Sequence, residues 1–469
     1  MPPTASARST AFTSPDLDEL RERIVGRVLV PGGDGYDAAR KTWNATTFEQ
    51  RPALVVMPSS ADDAAMAVRF AREHELAIGA QGGGHGHPRP VNDALFLNFS
   101  SMQSVQITQR GTAQIEAGAR WSGVIQAAHT YGLAPLNGFS GTVGVAGYTL
   151  GGGIGWLTRQ YGAACGSLRC ADVVTADGDL LQVSADDYVD LFWGLRGGGG
   201  NFGIVTSLEL ELYPVKEVFG GFVAYPLSQG QEVLSAYAEW TARVPGTMTS
   251  AARLVHFPSS PGIPLPLRGT SAVVLMACSV GGVTAGETLV KPLQSIGTPL
   301  LDTLRRMPYS AIGTIASDPP EAPPLYTIGN GVGLRELLPE GIDAMLRIAG
   351  DRASGIFVVE LRHAGGALTR QPEEAMPFGF RSPWFVGALA AAPTPEALDV
   401  GRRSVATLLE ALQPAATGET LINSLDPGLT SPQLVRAAYS ADNYRRLVAL
   451  KGKYDPANVF RFNHNIAPS

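Results

Sequence analysis

The distribution of glycine constrains this 469-residue chain more than any other feature of its sequence. Its 55 glycines are gathered into tracts instead of being scattered. One tract reads Gln81-Gly-Gly-Gly-His-Gly-His87, and a second runs Gly138-Phe-Ser-Gly-Thr-Val-Gly-Val-Ala-Gly-Tyr-Thr-Leu-Gly-Gly-Gly-Ile-Gly155. A third is Gly197-Gly-Gly-Gly-Asn-Phe-Gly203. Runs this dense disfavour ordinary helix and strand, because glycine loses the most backbone entropy on ordering and has no side chain to pack. They permit a ligand to approach main-chain N–H groups closely, and the second tract is long enough to run under an extended molecule with a pyrophosphate. His85 follows three glycines directly, so phosphate, metal and a flat aromatic cofactor all remain open for the first loop.

The order of elements supports a ligand at the first loop. Ala53–Met57 is an apolar run, and Ser60 with Asp62 and Asp63 opens a helix as cap and first-turn anions. That helix leads to the short apolar run Leu76–Ala80 and then to the glycines, placing the loop at a strand's C-terminal end, a frequent ligand address. Ala94–Asn98 and Gln114–Ala119 read as strands, Trp121–Tyr131 as a helix, and Val173–Leu181 as a hairpin with an Asp-Gly turn. The third glycine tract leads into the strand Ile204–Leu212. Beyond Pro214 the pattern changes to strands alternating with helices. Strands are expected at Phe222–Tyr225, Ala251–Phe257, Ala272–Val280, Gly355–Arg362 and Trp384–Ala391. Helices are expected at Gln229–Arg243, Ala285–Ile296, Leu338–Ala349 and Pro395–Leu412, the last with Thr394 as cap and Pro395 at its first position. Pro261–Pro266 and Pro319–Pro324 read as loops or lids.

Length and composition bound the function. A chain this long holds two or three domains, and 45% hydrophobic with 17% charged residues is ordinary for a soluble globular protein. A net charge of −6 without a Lys/Arg run argues against nucleic acid as a partner. Three cysteines, Cys165, Cys170 and Cys278, are too few for a disulfide scaffold; buried free thiols are expected, with a single Cys165–Cys170 link as the alternative. Met1 to Pro15 has no apolar segment and reads as neither signal peptide nor anchor. No run is long enough for a membrane helix, so a cytoplasmic enzyme is expected.

Common ligand motifs fail in turn. Gly198, Gly200 and Gly203 fit GxGxxG, but a strand follows where a dinucleotide fold needs a helix. There is no GxxxxGK[ST] and no GxSxG; Ser140 is one residue off the second pattern. His85 and His87 lack a third ligand at metal spacing. What remains is a large cofactor held by several separated loops.

Taken in order, these tracts carry a family resemblance. Gln-Gly-Gly-Gly-His-Gly, Thr142-Val-Gly-Val-Ala-Gly-Tyr-Thr-Leu-Gly-Gly-Gly-Ile-Gly, Asp172-Val-Val-Thr-Ala-Asp-Gly and Gly197-Gly-Gly-Gly-Asn-Phe-Gly-Ile-Val-Thr are the first four. Lys453-Tyr-Asp-Pro-Ala-Asn-Val-Phe-Arg-Phe-Asn-His-Asn-Ile466 completes the series. The series resembles the berberine-bridge-enzyme-like branch of the vanillyl-alcohol-oxidase flavoproteins. The resemblance implies an α+β chain with a two-part FAD-binding domain of the PCMH type and an α+β substrate domain whose antiparallel sheet is covered by helices. The implied division is a flexible 1–20, an FAD domain at 21–214, a substrate domain at 215–421 and a returning segment at 422–469.

It further implies FAD joined to His85, the histidine at the family's flavin-linking position. A second, cysteinyl link is common in the family, but the matching stretch here is Ser140-Gly-Thr-Val-Gly144, so a single link is expected. Val143 stands where family oxidases carry valine and leave room for dioxygen. Expected cofactor contacts are Gln81, Gly82, Gly83, Gly84, His85, Gly86 and His87 on the first loop. On the second they are Gly141, Thr142, Val143, Gly144, Gly147, Tyr148, Gly152, Gly153 and Gly155. Gly203, Ile204 and Val205 follow, with Asn463 and Asn465 at the flavin's pyrimidine edge, at the substrate, or simply docking the tail.

Oxidation by a flavin removes a hydride together with a proton, so a positioned base is expected. The family's tyrosine motif reads Leu421-Ile-Asn-Ser424 here and offers no phenol. The candidates are Tyr148, which either reacts or packs on the ring, and Glu360 with Arg362, which alternate onto one strand face. As an alternative, Glu360 and Arg362 form a structural ion pair. Arg362 with His363, Tyr326 and Tyr439 are lesser candidates. The leading reading is an FAD-dependent oxidase acting on a small or natural-product substrate with O2 as acceptor. The alternative is a flavin oxygenase or a cyclising, pericyclic biosynthetic enzyme on the same fold, and a non-catalytic flavin carrier stands third. The few charges between Pro214 and Leu421 lean toward an aromatic or terpenoid-like substrate.

Overall fold

The computed structural model describes residues 12–469 apart from 48, 87–88, 320, 322–323 and 426–430; the His87 expectation therefore lies outside the described residues. Three sheets organise the chain. The first holds β1 (Arg27–Leu29), β2 (Leu54–Met57), β3 (Ile78–Gln81) and β4 (Leu95–Asn98) in the order β1-β2-β4-β3, with β4 parallel to both neighbours. The second holds β5 (Val105–Ile107), β6 (Thr112–Glu116), β7 (Leu168–Val174), β8 (Leu180–Ser184) and β9 (Ile204–Glu211), antiparallel, in the order β5-β6-β9-β7-β8. β7 and β8 form the expected hairpin.

The third sheet has eight antiparallel strands. They are β10 (Glu217–Pro226), β11 (Met248–His256), β12 (Ser271–Ser279), β13 (Leu301–Asp302), β14 (Arg305–Pro308), β15 (Tyr326–Leu334), β16 (Ile356–His363) and β17 (Trp384–Ala392). The order is β13-β10-β12-β11-β16-β17-β15, with β14 on the edge of β10. Alternation splits the strands between two cores. Ala252, Leu254, Val273, Leu275, Val359 and Leu361 pack with Val233, Leu234, Tyr237, Val290, Met345 and Leu408 of the covering helices. Ala251, Val255, Val274 and Met276 point the other way, into one continuous core with Trp121, Leu136, Phe139 and Trp156 of the glycine-rich half. Each fully buried large apolar side chain contributes roughly 1.5–3 kcal/mol to holding the halves together.

Two expectations are corrected. The second glycine tract contains a helix, Val145–Leu150, where none was expected. Within it Val145, Ala146, Thr149 and Leu150 are buried, and their packing outweighs the cost of Gly147. The strand β15 was not anticipated, because Gly329, Gly331 and Gly333 hide its alternation. Its Ile328 and Leu334 nevertheless share the helix-side core, and a Cβ at Gly331 would lie 2.3 Å from the Phe385 ring of β17.

Local chemistry ties the elements down. Asp63 does more than face a helix dipole: its buried carboxylate accepts from Val25 N, Gly26 N and Ser59 N at 2.9–3.0 Å, while Ser60 Oγ accepts from Asp63 N at 3.2 Å. The thiols of Cys165 and Cys278 are buried and free, and Cys170 is free but half-buried. At the seam between the halves, Arg159 Nε donates to Met248 O at 2.8 Å, and its Nη1 bonds His363 Nε2 at 2.8 Å and also Ala364 O. His363 Nδ1 lies 3.3 Å from Ser250 Oγ, which in turn meets Tyr237 OH at 3.0 Å. His363 thus serves the seam, on the opposite strand face from Glu360 and Arg362. Among the described residues no helix is long and apolar enough to cross a membrane.

The tail is fixed by a buried ion pair. Lys451, fully buried on the Ala441–Tyr454 helix, donates from Nζ to Asp455 Oδ2 at 2.6 Å, Asn201 O at 2.8 Å and Phe460 O at 3.1 Å. Asn201 returns Nδ2 bonds to Gly198 O and His464 O, and its Oδ1 accepts from Ile466 N. Lys451→Met leaves Asp455 charged and unpaired in the interior, so the unfolding free energy should fall by ~3–5 kcal/mol. Denaturant unfolding checks this, and a loss below ~1 kcal/mol, the range of an exposed pair, would contradict it.

Candidate active site

The three glycine tracts and the tail meet in one cleft of about 440 Å³. Its first wall is the loop after β3. Gly83 crosses Gly144 so closely that a Cβ on Gly83 would stand 2.5 Å from Gly144 N and Cα. No side chain fits there, which explains why glycine occupies both positions. Gln81 Nε2 donates to Lys41 O at 3.2 Å and Trp43 N to Gly84 O at 2.8 Å, holding the loop from outside. The Trp43 and His85 rings pack with centroids 4.3 Å apart.

The second wall is the Val145–Leu150 helix and its flanks. Tyr148 points into the cleft, with Trp121 edge-on at 5.5 Å. Gly153, at φ +75°, passes the Tyr148 ring where a Cβ would come within 2.4 Å. Asn423 Nδ2 donates to Tyr148 O at 2.9 Å, so the Leu421–Ser424 segment, which lacks a phenol, still fixes the backbone of the one tyrosine among the described lining residues. Gly198 to Asn201 and the tail close the far end, where Asn463 Nδ2 donates to Gly200 O at 2.8 Å.

The third wall comes from the large sheet, and it is charged. Arg253, Asp318 and Arg362 line the cleft. Arg253 Nη1 donates to Asp318 Oδ1 at 2.8 Å and its Nε to Glu360 Oε2 at 2.6 Å; Arg362 Nε donates to Glu360 Oε1 at 2.5 Å. The Glu360–Arg362 pair expected on one strand face thus belongs to a chain of four charges.

The expected site residues divide accordingly. Gln81, Gly82, Gly83, Gly84, His85, Gly86, Val143, Gly144, Gly147, Tyr148, Gly153, Gly203, Ile204, Val205, Asn463 and Arg362 line the cleft. Gly141, Thr142, Gly152, Gly155 and Asn465 do not. Gly141 turns outward to Ser122, Gly152 packs on Phe378 and Gly155 on Asn137 O; Thr142 bonds Ser140 through its hydroxyl at 2.8 Å. Glu360 stands behind its two arginines and is not on the wall, contrary to its expected role as a base facing the ligand. Sequence reading missed Asp318 and His464, both on the wall. Asp318 precedes a proline-rich stretch of sequence with no periodicity to place it, and His464 was outweighed by the flanking amides.

Electrostatics follow from this packing. Burial works to raise the Glu360 carboxyl, but Arg362 and Arg253 override it and bring it down to about 2. Burial lifts the Tyr148 phenol well above its usual range, against the opposing charge of Arg362. Burial lowers His85, with Asp318 pulling the other way, and brings His464 down to about 4 with help from Arg89.

Does FAD fit? His85 Nδ1, Tyr148 OH, Gln81 Oε1, Asn463 Oδ1 and His464 Nδ1 are buried on this cleft without hydrogen-bond partners among the described residues. Each such atom costs roughly 1–3 kcal/mol unless a ligand completes it. A flat, hydrogen-bonding, phosphorylated cofactor in a glycine cradle answers both features, so the residues fit.

Comparison with known proteins agrees. The profile described as FAD binding domain matches residues 52–184, and that described as berberine and berberine like matches 421–467. The chain is an FAD-linked oxidoreductase that carries both the FAD-binding and the berberine-like segment. It is similar to (R)-6-hydroxynicotine oxidase of Paenarthrobacter nicotinovorans, 29% identical over 467 residues that span 95% of this chain and 97% of the relative. The crystal structure of 6-hydroxy-D-nicotine oxidase from Arthrobacter nicotinovorans superposes with a TM-score of 0.84 at 27% identity, covering 95% of this chain and 98% of that one. Glucooligosaccharide oxidase from Acremonium strictum, described with 6-S-cysteinyl, 8α-N1-histidyl FAD, shares the fold. Its TM-score is 0.80 at 22% identity, over 96% of this chain and 99% of its own. The expected fold class, an α+β flavoprotein with a helix-covered antiparallel sheet, holds.

The carboxylate clamp has a pH signature. Glu360 has a depressed folded pKa, so its contribution is present above the usual glutamate value of ~4.3 and is lost as pH falls toward about 2. Unfolding free energy measured between pH 6 and 2 should drop by ~3 kcal/mol over that window from this group. Glu360→Gln should be less stable at pH 6 and lack that part of the slope; an unchanged slope would contradict the clamp.

Proposed function

We propose that this enzyme holds FAD through one covalent bond to His85 and oxidises a small organic substrate, passing the electrons to dioxygen. The observation that carries this reading is the convergence of orphaned polar atoms on a glycine-walled cleft, with His85 at its first loop. Residues 21–214 and 422–469 form the cofactor side in this reading and 215–421 the substrate side. Bound FAD supplies the two-electron acceptor that side chains lack. Ser140, hydroxyl-bonded to Thr142, is a far weaker nucleophile than a thiolate, so we assign a single tether.

The protein's own groups orient the substrate and move its proton. Tyr148, kept protonated by burial, donates a hydrogen bond to a substrate oxygen and is not the resting base. Asp318 is the one carboxylate among the described lining residues. Its Oδ1 is held by Arg253, and we assign it the role of proton acceptor. Glu360 positions Arg253 and Arg362 from behind.

Acid precipitation of the holoenzyme should give a yellow pellet, and His85→Ala a colourless one. A colourless wild-type pellet, with the flavin in the supernatant, ends the covalent reading. Asp318→Asn should keep the yellow pellet while lowering kcat at least tenfold, about 1.4 kcal/mol at the barrier. Undiminished turnover would remove Asp318 from the mechanism. Under labelled dioxygen, peroxide without label in the organic product supports the oxidase, whereas incorporation of label makes the enzyme an oxygenase.

A further inference from the structure

We propose that the substrate carries a carboxylate, on a flat carbon skeleton, and that Arg362 is the residue that selects for it. The inference rests on the reading of this cleft as the active site and names the class of molecule that enters it.

Asp318, Arg253, Glu360 and Arg362 form a chain of alternating charge whose inner members each bond two charged partners. Arg253 commits Nε to Glu360 at 2.6 Å and Nη1 to Asp318 and Ala316 O at 2.8 and 3.2 Å, which leaves it one Nη nitrogen and no fork. Glu360 gives one oxygen to each arginine. Arg362 is different. Only its Nε is engaged, by Glu360, and among the described residues neither Nη nitrogen has a hydrogen-bond partner. Those nitrogens are not sealed from the cleft, since the side chain is 27% exposed and lines it. A guanidinium fixed at Nε and free at both Nη atoms offers a planar fork that matches the two oxygens of a carboxylate.

The surroundings set the rest of the molecule. Arg362 lies 4.7 Å over the Phe139 ring, which is itself stacked on Trp156 at 3.9 Å and 13°. Trp156 backs Phe139, which restrains the guanidinium and puts apolar ring surface on the cleft wall beside the cation. Ile154 and Leu150 continue that surface. Binding a neutral substrate would leave the Nη pair unmatched in a half-closed cleft, at a cost in affinity. The clamp by Glu360 keeps the fork from swinging away, so recognition needs little reordering when the ligand arrives.

The test is a titration of the holoenzyme, following the flavin absorbance, with benzoate, benzamide and benzylamine as probes. Benzoate should shift the spectrum saturably and bind at least tenfold more tightly than either of the others. Arg362→Gln should weaken benzoate at least tenfold and leave benzamide unchanged, which also reports that the variant is folded. Arg362→Lys, keeping the charge but not the fork, should fall between. The proposal is overturned if benzamide or benzylamine binds as tightly as benzoate, or if Arg362→Gln binds benzoate like the wild type. Flavin retention in the acid pellet is read separately, so loss of the covalent reading would not be mistaken for loss of this one.

Discussion

The cleft depends on a contact between two stretches of bare backbone. The loop after β3 and the loop before the Val145–Leu150 helix belong to different parts of the fold, and they cross at Gly83 and Gly144 with no room for a methyl group. Everything on the cofactor side is registered to that crossing. Bonds from Trp121 N to Val143 O and from Val145 N to Ala119 O hold the second loop, while Lys41 and Trp43 hold the first. The crossing is cheap to make with glycine and closed to any other residue, which is why glycine stands at both positions.

The opposite wall works by a different principle. Where the glycine side presents backbone, the sheet side presents charge in a fixed sequence, and each inner group is neutralised by its neighbours before a ligand arrives. Desolvating four ionised groups is costly unless each is paired and hydrogen-bonded. The arrangement satisfies that condition for Arg253 and Glu360 and leaves the outer groups, Asp318 and Arg362, with capacity to spare. The active cleft thus has one wall that grips through shape and another that discriminates through electrostatics.

Much of this was legible before the fold was known, and the exceptions have physical causes. Glycine tracts, cap residues and the helical and strand periods of the second half announce themselves locally, and the matching elements formed. The strand β15 was hidden because the face opposite its helix-side core is glycine, packed against Leu389, Phe385 and Ser382, so period-two alternation lacked its usual polar partner. Gly141, Gly152 and Gly155 looked like cofactor contacts, yet they serve protein packing against Ser122, Phe378 and Asn137; spacing cannot tell which way a glycine's open side faces. Lys451 reads as a solvated helix residue and is fully buried, because its partners Asp455, Asn201 and Phe460 come together only in the folded chain. Glu360 illustrates the same point: its strand face was readable, but the second arginine that closes it off comes from β11, 107 residues away.

The register of β16 has an implication for how such enzymes diversify. Glu360 and Arg362 reach the cleft side while Leu361 and His363 serve the helix-side core and the seam. A single residue gained or lost within this strand would exchange the two sets, pushing a carboxylate into an apolar layer and stripping the seam of its imidazole. The strand already absorbs one such slip in the irregularity between Ile356 and Val358, ahead of the Glu360–His363 stretch. New specificities must arise by substitution at fixed positions on β11 and β16, so the strand framework acts as a ruler that evolution reads in steps of two.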